Sequence, residues 1–116
     1  MRETSFCYHN LEWPAPQAVL CGPVVWLRGW LVGKPGCDCI DLRIRHEGAT
    51  HLGVLGLPRT DLAAHFKSDK PWLPAEYIIG VPVHVDGALS LTLEVMDAHG
   101  SWNALESIDL TIAPEG

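Results

Sequence analysis

Apolar and polar residues alternate with a period of two along most of the chain, and no stretch keeps a helical period for long. Residues 5–13 read as a first strand, stopped by Pro14 and Pro16, which cannot donate to a sheet ladder. Residues 24–32 form a second, closed by the turn cluster Gly33-Lys34-Pro35-Gly36. A third covers 38–46, with Ile40, Leu42 and Ile44 inward and Cys39, Asp41, Arg43 and Arg45 outward. Glu47-Gly48 turns the chain into a short returning strand over 50–55.

The middle breaks the alternation. Gly56-Leu57-Pro58 reads as a loop, and residues 60–66 as one or two helical turns, with Thr60 as N-cap and Asp61 at the positive end. Residues 67–74, with two prolines, read as surface loop. Strands follow over 77–85, with Tyr77, Ile79, Val81, Val83 and Val85 on one side, and over 89–96, after the hairpin signal Asp86-Gly87. The last strand covers 102–112. Its inward parity changes between Leu105 and Ile108, which predicts a β-bulge. Residues 113–116 read as the start of a linker.

About seven strands with turn signals every 8–12 residues or so predict an all-β domain, an immunoglobulin- or fibronectin III-like sandwich with one short helix near 60–66. An open barrel is the structural alternative. The 116 residues fit one domain and leave no room for two. No apolar run approaches membrane-helix length, and the N-terminus lacks the apolar core of a secretory signal, so the chain reads as soluble and cytoplasmic.

Charge narrows the partners. Five basic residues balance five acidic ones through Pro58, whereas three face nine from Arg59 onward, which accounts for the net −6. A nucleic-acid binder shows a basic footprint, so nucleic acid is not expected, and no membrane partner is either. Cys7, Cys21, Cys37 and Cys39 read as reduced thiols. Cys37 and Cys39 share a face if the strand is extended, but no second ligand pair at zinc spacing accompanies them. No two of the six histidines stand four apart, although His46 and His51 could oppose each other across their hairpin. Asp86 and Asp97 read as turn formers. Nucleophile elbow, phosphate loop and dinucleotide fingerprint are all missing, so neither an enzyme nor a cofactor or metal is expected.

Binding remains. Trp26, Arg28 and Trp30 share one face of the second strand, where two indoles around a guanidinium could stack on sugar rings or anchor a protein. Burial under a covering element is the competing reading. Arg59 could clamp an anion, or it could pair with a carboxylate and fix the loop. Trp72, between Pro71 and Pro74, is either an interface anchor or a plug over one end of the sandwich.

Gly29-Trp30, then Gly56-Leu57-Pro58-Arg59-Thr60-Asp61-Leu62-Ala63-Ala64-His65-Phe66, then Asp86-Gly87 through Asp97-Ala98-His99-Gly100 make a recurrent pattern. It resembles the Ig-like β-sandwich module of large bacterial multidomain proteins, often found beside glycosyltransferase domains. The resemblance covers roughly residues 24–105. The chain departs from it at Glu76-Tyr77, where the family tends to carry Gly-Phe, and at Gly80 and Pro82. What the resemblance implies is a non-catalytic accessory domain acting by binding or spacing. A carbohydrate-binding module and a protein-docking or dimerisation domain are the alternatives.

Overall fold

The computed structural model of the protein describes residues 1–15, 17–84 and 86–114. Pro16, read above as part of a strand stop, Val85, read as a strand end, and the tail residues Glu115 and Gly116 lie outside them. The strands are β1 (Arg2–Glu3), β2 (Cys7–Trp13), β3 (Val19–Cys21), β4 (Val24–Gly33), β5 (Cys39–His46), β6 (Ala49–Leu52), β7 (Val54–Arg59), β8 (Leu73–Pro82), β9 (Gly87–Asp97) and β10 (Trp102–Ala113). One helix, α1 (Thr60–His65), lies between β7 and β8.

The strands form two five-stranded sheets, β1-β2-β4-β8-β7 and β3-β10-β9-β5-β6, rather than one open barrel. Among the described residues, all pairings are antiparallel except β3 with β10. A shared apolar core fills the space between them. Val25, Leu27, Leu31, Tyr77, Ile79 and Val81 come from the first sheet, and Leu42, Ile44, Leu91, Leu93, Val95 and Leu110 from the second. Alternation dictates these positions, because every second residue of a half-buried strand must face the core.

The all-β expectation holds, and the departures from it have local causes. The predicted strand over 50–55 is two strands in different sheets, split at Gly53. There a Cβ would come within 2.9 Å of the Ile78 carbonyl oxygen, so the crossing requires glycine. Gly56-Leu57-Pro58, predicted as loop, belongs to β7, an edge strand where proline costs no ladder bond. β8 begins at Leu73, inside the predicted loop, because Pro74 and Leu73 pair with Pro58 and Arg59.

Five register shifts occur among the described pairings, two of them between β7 and β8, and the other three reset faces that bear on the site. The predicted bulge in β10 is present, at Leu105, between Ala104 and Glu106. A second, between Cys39 and Asp41, turns Ile40 outward to 56% exposure, against the inward placement expected from alternation. A third, between Leu11 and Trp13, turns Trp13 onto the outer face opposite Arg28. At α1 the N-cap is Arg59 and not Thr60, and no side chain caps the helix. α1 lies on the outside of the first sheet, with a small second core of Trp30, Leu62, Ala75, Tyr8 and Phe66 beneath it.

Candidate functional site

The two outer faces of the molecule differ in chemistry. On the second sheet, Glu94 is held by Arg43 at 2.8 Å and Arg45 at 3.4 Å, and Trp102 covers the Arg43 guanidinium at 4.0 Å. These charges are paired with one another. On the first sheet, α1 covers one end and leaves the other open. The open end carries Trp13, Val24, Trp26, Val54 and Ile78, with Arg28 between the two indoles.

Strand pairing sets the geometry there. Trp26 of β4 stands opposite Gly80 of β8. A Cβ placed at Gly80 would lie 2.9 to 3.2 Å from three carbons of the Trp26 six-membered ring. The indole therefore lies on the bare backbone of Gly80, at 58% exposure. A strand glycine often marks such an approach, and a cross-strand aromatic commonly covers it. Trp13, 54% exposed, stands across a groove of about 320 Å³ lined by Trp13, Trp26, Leu27, Arg28 and Ile78. Arg28 makes no ion pair with any described residue, so its donors face the groove unengaged.

The other candidates divide. Trp30 points to the same side as Trp26 but is only 6% exposed, because Leu62 and Phe66 pack over it, with the Phe66 ring edge-on at 5.9 Å. It is a core residue of the helix and not a ligand contact. Arg59 is fully engaged. Its Nε donates to Asp61, Nη1 to Glu12 and Glu76, and Nη2 to Glu12 and Asp61. A guanidinium has five N–H donors, and five hydrogen bonds leave none for an anion. The same bonds hold the Asp61 carboxyl down from 3.8 to about 2. Trp72, 43% exposed, lies beside this cluster with Gly56, Pro58 and Thr60, away from the groove.

The metal readings do not assemble. No group of three or more candidate ligands forms among the described residues. His46 and His51 are not opposed, because the two-residue turn Glu47-Gly48, with both φ values positive, pairs His46 with Ala49 and His51 with Ile44. Cys37 precedes β5 and bonds back to the Lys34 carbonyl in a turn, so it does not share a strand face with Cys39. Asp97 is the expected turn former, accepting from the backbone of His99 and Ser101.

Sequence reasoning missed Trp13, and the reason is the bulge. Alternation continued from Cys7, His9 and Leu11 would place it inside. It also missed a buried polar group in which His9 Nδ1 stands 3.4 Å from Glu106 Oε1 and Arg2 reaches the same carboxylate at 3.7 Å. The signal for the Trp26 platform was Gly80, an odd residue within a run of β-branched strand formers. No helix among the described residues is long and apolar enough to cross a membrane. Compared with known proteins, the chain matches no family model and no curated sequence.

Proposed function

We propose that the chain is a non-catalytic binding module with an immunoglobulin-type strand arrangement, and that its open groove takes a saccharide stacked on Trp26. One observation carries the reading: the Trp26 indole lies on the bare backbone of Gly80 and is 58% exposed. A pyranose presents a flat array of C–H bonds that suits such a ring, and Arg28 supplies hydrogen-bond donors at its rim. The groove is at the low end of ligand-pocket volumes, about 300–1,000 Å³.

Strand order supports the immunoglobulin-type assignment. β2, β4, β8 and β7 take the A, B, E and D positions of one sheet, and β5, β9 and β10 take C, F and G of the other. The resemblance of residues 56–66 to modules standing beside glycosyltransferase domains supports an accessory role in glycan handling. A second reading, docking of a protein, is favoured by the apolar neighbours Val24, Val54 and Ile78 around an arginine and two tryptophans.

Binding is tested by tryptophan fluorescence and calorimetry against an array of oligosaccharides. A saccharide that quenches the wild type is expected to bind Trp26→Ala at least tenfold more weakly. Gly80→Ala keeps the indole but lifts it off the sheet, and should weaken the same ligand with little change in stability. Array-wide silence from folded protein, with a concentration-dependent mass in solution, would sink the saccharide reading and favour docking.

A further inference from the structure

Two of the four cysteines come together in a way the binding groove does not involve. Cys7 of β2 is completely buried, and Cys39 is half-buried at the start of β5 in the other sheet. Gly33 makes their meeting possible. It pairs with Cys7 across the β2–β4 ladder, and a Cβ there would run into the Cys37 carbonyl oxygen and come within 3.7 Å of Cys39 Sγ. The missing side chain leaves a notch into which the residues leading to β5 fold. The Cys39 thiol thus lies over Gly33, beside the Cys7–Gly33 pair, in the gap between the sheets.

The surroundings prepare the pair for chemistry. Thr4 Oγ1 accepts the Cys7 backbone N–H at 3.0 Å and lies 3.3 Å from Cys7 Sγ. The neighbouring Cys39 thiol, then Thr4, His9 and Lys34, hold the Cys7 thiol below its ordinary value, while Cys7 and burial push the Cys39 thiol up. Cys39 lines a shallow surface groove with Gly33, Asp38 and Ile40, which gives a small molecule access from solvent.

We propose that Cys7 and Cys39 are an oxidisable dithiol that closes to a disulfide between the two sheets when a peroxide reaches Cys39. Loss of its proton to solvent base places the thiolate on Cys39, the sulfur of the pair that solvent reaches. Its sulfur attacks hydrogen peroxide, forms an S–O bond as the O–O bond breaks, and releases hydroxide, leaving a sulfenic acid. Cys7, deprotonated in turn, attacks that sulfur, so the S–S bond forms as the S–O bond breaks and a second hydroxide leaves. With protons returned from the thiols and solvent, two thiols and one peroxide give one disulfide and two waters. Cys37 is too close in the chain to replace Cys7, and exposed Cys21 lies on the distant strand β3.

The test uses the whole chain carrying Cys21→Ser and Cys37→Ser, treated with one equivalent of hydrogen peroxide. Expected are loss of both remaining thiols, an intact mass lower by about 2 Da, a monomer on a non-reducing gel and reversal by dithiothreitol. Closing the loop from Cys7 to Cys39 should also raise Tm by about 10 °C. In the wild-type chain, cleavage at Glu12, Arg28 and Asp38 separates all four cysteines, so the Cys7–Cys39 link is read directly from the peptides. A gain in mass with no linked peptide, a cross-linked dimer, or two thiols still titratable would overturn the proposal.

Discussion

Gly29→Ala is expected to destabilise the protein by about 3 kcal/mol or more, a large share of the ~5–15 kcal/mol that holds a domain of this size together. Gly29 faces the core opposite Tyr77, and its strand neighbour on the other side is Leu11. A Cβ there would run into the Asn10 carbonyl oxygen and stand 2.6 Å from the Tyr77 hydroxyl. The backbone oxygen cannot turn away without opening the β2–β4 ladder. Tyr77 is completely buried, and its hydroxyl has no partner among the described residues.

Tyr77→Phe alone should therefore be close to neutral, because it removes a buried hydroxyl that no described residue binds. Combined with Gly29→Ala it should restore only part of the loss, since the Asn10 oxygen remains. Urea unfolding of the four proteins measures the coupling as a double-mutant cycle. A Gly29→Ala midpoint within about 0.5 kcal/mol of wild type would refute the packing described here.

Arg59→Met should cost about 2 kcal/mol at neutral pH, less than a fully buried cluster would, because Asp61 is open to solvent. Arg59 joins β2 through Glu12, β8 through Glu76 and α1 through Asp61, so its loss leaves three carboxylates facing one another. Lysine should not substitute, since one ammonium cannot match the planar fork across three acids. The effect is pH-dependent with a defined sign. Asp61 titrates at about 2 when folded and at an ordinary 3.8 otherwise. A depressed folded value gives stability that is complete above 3.8 and vanishes as pH falls through 2. The gap between wild type and Arg59→Met should be level above about pH 4 and narrow toward pH 2. A gap that widens in acid would show that Arg59 does not act through these carboxylates.

Much of the sheet architecture was written in the alternation, because a strand with one buried face has little choice of side. Val25, Leu27, Leu42, Ile44, Leu91 and Leu93 are all inside as the pattern requires. The pattern failed where one extra residue resets the parity. Ile40 and Trp13 were misplaced or overlooked because bulges are set by strand pairing, which a local window does not contain. The switch of sheet at Gly53 was hidden for the same reason.

The candidate site was half legible. Trp26 and Arg28 were found from their shared face, but so was Trp30, whose burial depends on where α1 lands. No residue near Trp30 announces that cover. The glycines were more informative than the aromatics. Gly29 opposite Tyr77 and Gly80 opposite Trp26 are two glycine–aromatic pairs between β4 and β8, one toward the core and one toward solvent. Each tells where an aromatic side chain closes on bare backbone.

The parallel pairing of β3 with β10 gives the molecule a mechanical direction. β3 near the beginning and β10 near the end run side by side, joined where Val19 to Cys21 meet Thr111 to Ala113. Tension between the two ends pulls these strands past one another along their length, so their hydrogen bonds are loaded together. An antiparallel pairing there would open one bond at a time, like a zip. The domain should therefore resist stretching more than its thermal stability suggests, which single-molecule pulling from the two ends would measure.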